Sequence, residues 1–142
     1  MLLGVPAGIV AQLVVIPVLY VPITRLWSVD VSDPARQRVD EAAGGWLLLF
    51  VVVVVLGAPL FEEIFFRGAL LGVLRHRYVS VVGVVASSLV FGATHFQIML
   101  LPGLAAAGLV FAFLADRTGR LGPAVWAHVA FNATTVVMLA RG

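Results

Sequence analysis

Polar positions are scarce in this chain, and they divide it into apolar stretches of membrane-spanning length. The first stretch runs from Leu2 to Ile23, close to the 20 or so residues that a helix needs to cross a hydrocarbon core of about 30 Å. Pro6, Pro17 and Pro22 lie within it, and a transmembrane helix accommodates proline by kinking. It has neither the basic leader nor the shorter apolar segment of a secretory signal, so it reads as a span. Arg25 to Glu41 is the one strongly polar connection, expected in water, with Asp33-Pro34 marking a helix start.

Ala42 to Leu74 is again almost wholly apolar. As one straight helix it would be roughly 50 Å long at about 1.5 Å per residue, well beyond the hydrocarbon core. The stretch must bend or tilt, and Gly57 and Pro59 mark the break, because proline removes a backbone donor and crowds the preceding turn. A third span is expected from Val79 to about Leu101, a short fourth from Gly103 to Ala115, and a fifth from Pro123 to Ala140. The valine run Val51 to Val55 would suit a buried strand in a soluble protein. In a bilayer an open strand leaves its backbone unpaired, so helix is expected there too. The predicted fold is all-α: a polytopic transmembrane bundle of about five spans, one kinked near Gly57-Pro59. Residues 1–41 form the first span with its polar loop, and residues 42–142 form the core.

Composition agrees with that pattern. Apolar residues make up 62% and charged residues 11% of the 142 positions, against roughly half and a quarter in soluble domains, and the mean hydropathy is +1.12. The chain is expected to be a multi-pass protein of the cell membrane in contact with lipid, with no room for an additional soluble domain. Its basic residues are all arginine and the net charge is only +2, scattered over short loops, which argues against nucleic acid as a partner. Arg75, Arg77, Arg117 and Arg120 fall on one side and Arg25, Arg36, Arg38 and Arg141 on the other. The first group sits in the tighter loops, which places the amino terminus in the cytoplasm. The absence of cysteine excludes disulfides, thiolate metal sites and a cysteine nucleophile.

Few ionisable residues lie inside the apolar segments from Ala42 onward: Glu62, Glu63, Arg67, His95 and His128. Intramembrane charges are costly and usually face a bundle interior or a wet cavity, where they mark chemistry or transport. Glu63 and Arg67, Phe91 and His95, and His128 and Asn132 are each four residues apart and so share a helix face. If the three faces converge, they bring together carboxylates, two imidazoles, an amide and a guanidinium, a set that suits hydrolysis. A carboxylate that is desolvated beside a like charge is a good base toward water, and Glu62 is assigned that role. Glu63 lies about 100° round the helix from it and is expected to pair with Arg67. A histidine can orient the water, protonate a leaving amine or bind zinc, and His95 and His128 are candidates for these roles. Asn132, with His128, can donate to the oxyanion of a tetrahedral intermediate.

Glu62-Glu63-x-x-x-Arg67, Phe91-x-x-x-His95 and His128-x-x-x-Asn132, in that order on separate apolar segments, resemble the three motifs of the CPBP family. That family comprises the CAAX prenyl proteases and the bacteriocin-processing or immunity proteins, also called Abi proteins. The match covers about Gly57 to Ala140 and leaves the first span outside. The resemblance implies an intramembrane endopeptidase acting on a membrane-associated protein or peptide, with Glu62 and His95 activating water and His128 and Asn132 forming the oxyanion site. Members of the family often have more spans than this chain. Some are labelled metalloproteases, although no His-Glu-x-x-His segment is present here. If a divalent metal such as zinc takes part, Glu62, His95 and His128 are its candidate ligands.

Other readings remain open at this level. The glutamates can mark a membrane boundary with Arg67 snorkelling to the headgroups, and His95, His128 and Asn132 can serve as interhelical hydrogen-bonding groups. A non-enzymatic immunity or scaffold protein of the same fold is the alternative function, and a small transporter or proton relay is the third. Ser87, Ser88, Gly92 and Ala105 to Gly108 suit close helix packing. Trp27, Trp46 and Trp126 suit interfacial anchors, with Trp126 a second candidate for the cavity beside His128.

Overall fold

The computed structural model describes residues 3–27, 33–42 and 45–141, which are built from helices and contain no strand among the described residues. Helix α1 begins as Gly4–Val10, widens into a π-helical turn over Ala11–Val15 and continues as Ile16–Trp27. The polar helix α2 is Asp33–Ala42, starting at the expected Asp33-Pro34. Helix α3 runs without interruption through Leu47–Val52, a π turn at Val53–Gly57, Ala58–Glu63, a second π turn at Ile64–Leu70, and Leu71–Arg77. Helices α4 (Ser80–Ala93), α5 (Leu101–Thr118) and α6 (Leu121–Arg141) complete the bundle.

Among the described residues, four helices are long and apolar enough to cross a membrane: the 23 residues Gly4–Leu26 of α1, the 31 of α3, the 18 of α5 and the 21 of α6. The protein is thus a multi-pass integral membrane protein with a helical bundle. The expected third span is shorter than the sequence suggested. Helix α4 has 14 residues, about 21 Å at 1.5 Å per residue, and cannot cross a 30 Å core by itself. It stops because the Phe91 carbonyl accepts bonds from Thr94 Oγ1 at 2.8 Å and His95 Nδ1 at 2.9 Å, and such local side-chain bonds compete with the helical ladder. The chain then turns, with Phe96 at φ 55°. Helix α5 is correspondingly longer than the expected Gly103–Ala115. It ends at Gly119, whose left-handed φ of 64° lets its N–H reach the Ala115 carbonyl.

The expected break at Gly57-Pro59 is a widening instead. The turn over Val53–Gly57, just before Pro59, takes up an extra residue as a π-bulge, and the helix continues through Ala58–Glu63.

Lipid supplies no hydrophobic drive between helices, so small residues that permit close approach hold such bundles together. A Cβ on Gly4 would strike the Pro123 carbonyl oxygen, and one on Gly8 the Ala127 carbonyl oxygen, which packs α1 directly on the backbone of α6. Gly92 meets the backbone of Leu101 and Ala105 in the same way, joining α4 to α5. Phe66, Leu71, Phe91, Phe111 and Ala112 fill the core. Tyr20 ties α1 to the turn before α5, its hydroxyl donating to the Met99 carbonyl at 2.8 Å and accepting the Gly103 N–H at 3.1 Å. Near one end of the bundle, Asp116 Oδ1 joins α5 to Arg75 Nε (3.2 Å) and to the Ser80 hydroxyl (2.6 Å). Trp46 is exposed, as an interfacial anchor would be, whereas the side chain of Trp27 lies outside the described residues.

Candidate active site

Helix α3 carries Glu62 and Glu63 on the short α-helical stretch between its two π turns. Adjacent helical residues point about 100° apart, and the two carboxylates have different surroundings. Glu63 is fully buried, while the Glu62 side chain keeps 29% of its surface exposed and lines a cavity. Glu63 Oε1 accepts from Arg67 Nη1 at 2.9 Å, the expected ion pair one turn along the helix. It also accepts from His128 Nδ1 at 2.9 Å, a contact across the bundle to α6.

The Arg67 guanidinium is held on several sides. Its Nη2 donates to the Gly108 carbonyl at 2.8 Å, and a Cβ at Gly108 would crowd that nitrogen at 3.2 Å and the Phe91 ring at 3.1 Å. Its Cζ lies 4.7 Å from the centre of the Phe91 ring and 5.5 Å from that of Phe111. Both distances fall in the cation-π range, which favours a desolvated cation. Glu63 Oε2 and Arg67 Nε have no partner among the described residues.

His128 is fixed in orientation. Its ring stacks on Phe111, with centroids 4.6 Å apart and planes at 20°, and meets Phe91 edge-on at 5.5 Å. Because Glu63 Oε1 also binds a guanidinium it acts as a carboxylate acceptor, so His128 Nδ1 carries the hydrogen. Nε2 is left facing Glu62 Oε2 at 3.7 Å. That gap exceeds a direct hydrogen bond but allows one oxygen atom to sit beside both groups.

His95 stands just past the carboxyl end of α4. Its Nδ1 is bound to the Phe91 carbonyl, which can only accept, so Nδ1 carries hydrogen and Nε2 of the neutral ring is a free acceptor. Asn132 lies one turn beyond His128 on α6, and its Nδ2 donates to the Val54 carbonyl of α3 at 2.9 Å. One of its two amide hydrogens is therefore committed to backbone. Glu62, His95, His128 and Asn132 all line a single cavity of about 440 Å³ whose wall is built mainly by α1, α3, α5 and α6, with Arg38 of α2 and Phe91 of α4 also on it. Glu63 and Arg67 are not on its wall, and neither is Trp126.

The Rce1-like family, described as Type II CAAX prenyl endopeptidase Rce1-like, matches residues 44–134. The chain belongs to this family. A relative, the Bacillus subtilis (strain 168) protein named Putative membrane peptidase YdiL, is 33% identical over 90 residues, which are 63% of this chain and 37% of that protein. The chain thus spans little more than a third of the length of this curated relative. No solved structure matches it. The family match ends before Ala140 and begins ahead of Gly57, taking in the first third of α3 that the motifs alone leave out.

Several residues around this family's motifs escaped the sequence reading. Phe111 and Gly108 on α5 position His128 and Arg67, yet an apolar ring and a glycine carry no polar signal in an apolar helix. Gln12 and Tyr20 of α1 also line the cavity. Their polarity within the first apolar stretch, at a spacing of about two turns, is a signal that could have found them. Among the described residues no three His, Asp or Glu side chains are grouped to hold a metal ion. Glu62 and His128 approach within 3.7 Å, and His95 lines the same cavity.

Proposed function

We propose that the protein is an intramembrane peptidase that hydrolyses a peptide bond of a membrane-associated protein or peptide. The observation that carries this reading is the convergence of Glu62, His95, His128 and Asn132, from three separate segments, on one largely apolar cavity. The family's description names a CAAX prenyl endopeptidase, and the relative's name supports peptidase activity.

In the proposed reaction Glu62 and His95 Nε2 hold a water molecule at the carbonyl carbon of the scissile bond. Glu62 takes one proton as the water oxygen bonds to carbon. In this reading the His128 ring carries hydrogen on both nitrogens: Nδ1–H is held by the buried Glu63 carboxylate, and Nε2–H faces the former carbonyl oxygen, now negative. The uncommitted amide hydrogen of Asn132 is the second donor. Collapse of the intermediate breaks the C–N bond, and the proton on Glu62 passes to the leaving amine. Glu63 and Arg67 remain paired throughout and hold His128 in place. No step runs through a metal.

Purified protein in liposomes with a membrane-anchored fluorogenic peptide tests this reading. Glu62→Gln preserves shape and removes the base, so it should insert normally and cleave nothing. Cleavage at the wild-type rate by that variant would overturn the assignment.

A further inference from the structure

The bond from Asn132 to Val54 has a cause in the backbone of α3. In an α-helix the Val54 carbonyl would accept the N–H of Ala58. Here the Ala58 N–H instead reaches back five residues to the Val53 carbonyl. The next donor in that widened register is residue 59, a proline, which has no N–H. Val54 is therefore left with an acceptor that the helix cannot satisfy, and the Asn132 amide fills the place at 2.9 Å. An unsatisfied carbonyl in a membrane interior is costly.

The widened turn also decides which way the glutamates face. A π turn takes up one extra residue, so everything after it lags by about 100° relative to a plain helix. Closing the turn would carry Glu62 toward the direction Glu63 now takes, and would bring Phe61 toward the cavity. Phe61 is 74% exposed on the outer surface of the bundle.

We propose that Asn132 is a clamp on α3: it supplies the hydrogen bond that Pro59 cannot, keeps the Val53–Gly57 turn wide, and thereby positions Glu62 in the cavity. The clamp relies on the peptidase reading only in taking Glu62 as the base. It makes Asn132 a positioning residue whether or not its other amide hydrogen reaches substrate.

The chain has no cysteine, so single thiols can be labelled without background. In liposomes a charged methanethiosulfonate reagent should label Glu62→Cys, which opens on the cavity, and should not reach Phe61→Cys, which faces lipid. Adding Asn132→Ala should slow labelling of Glu62→Cys by about tenfold and make Phe61→Cys reactive. Unchanged labelling in the Asn132→Ala background overturns the clamp. If the combined variant does not accumulate, amide exchange decides. Asn132→Ala alone should speed exchange across residues 53–63 by about tenfold while leaving α5 unchanged, and equal exchange in both helices overturns the proposal. Labelling is read without turnover, so the clamp can fail while Glu62→Gln stays inactive, and the reverse.

Discussion

Glu63→Gln is the sharpest structural test, because it alters one charge and almost no volume beside a neighbour of the same type. Glu63 is fully buried, and its Oε1 accepts two bonds of 2.9 Å, from Arg67 Nη1 and His128 Nδ1. A glutamine keeps an oxygen for those donors but removes the counter-charge of a guanidinium whose side chain is 0% exposed. It also places an NH₂ where Glu63 Oε2 has no partner among the described residues. Breaking a buried pair from one side costs about 3–5 kcal/mol, and for a chain of this size that lowers the melting temperature by on the order of 10 °C. Glu62→Gln is the internal control. Glu62 is partly exposed and 3.7 Å from His128 Nε2, so its loss should cost about 1 kcal/mol or less. Thermal unfolding in detergent, followed by tryptophan fluorescence, separates the two. Combining Glu63→Gln with Arg67→Met removes both charges and should recover most of the loss. A Glu63→Gln protein that melts with wild type, or a Glu62→Gln protein that melts as low as Glu63→Gln, would refute the division of the two glutamates into a cavity-facing and a structural member.

Three further outcomes are expected. Gly8→Val drives a side chain into the Ala127 carbonyl and should destabilise the α1–α6 contact by about 1–3 kcal/mol, read as a lower melting temperature; an unchanged melt would mean that α1 is not seated on α6. Tyr20→Phe strands the Met99 carbonyl and the Gly103 N–H and should cost about 1 kcal/mol for each, with faster amide exchange at the start of α5 as the local check. Dialysis against EDTA should leave cleavage of the fluorogenic peptide intact, given that among the described residues no three His, Asp or Glu side chains are grouped to hold a metal ion. Activity lost to EDTA and regained with zinc would return Glu62, His95 and His128 to the role of metal ligands.

The class of fold and the identity of the motif residues were legible from the chain itself, because lipid leaves few alternatives. Backbone in hydrocarbon must be helical when the segment is not part of a barrel, and ionisable groups are so costly there that each stands out. The Glu63–Arg67 pair was likewise visible, since four residues on a helix place two side chains together without help from any other element. Helix ends were less legible. Val79 to Leu101 is evenly apolar apart from a few residues, and what shortens α4 is two side chains, Thr94 and His95, turning back to one carbonyl.

Tertiary structure decided how the pieces meet. It joins Glu63 to His128 across 65 positions of sequence, lays Phe111 on the imidazole, and takes one hydrogen of Asn132 for the Val54 carbonyl. Spacing along a helix specifies a face and nothing about what that face touches. The sequence alone therefore determined a helical membrane bundle with polar faces on three segments, and packing determined which glutamate opens on the cavity and which is locked inside. The physical reason is the same in each case: local geometry is written in neighbouring residues, whereas partners across the bundle depend on how closely glycine and alanine let the helices approach.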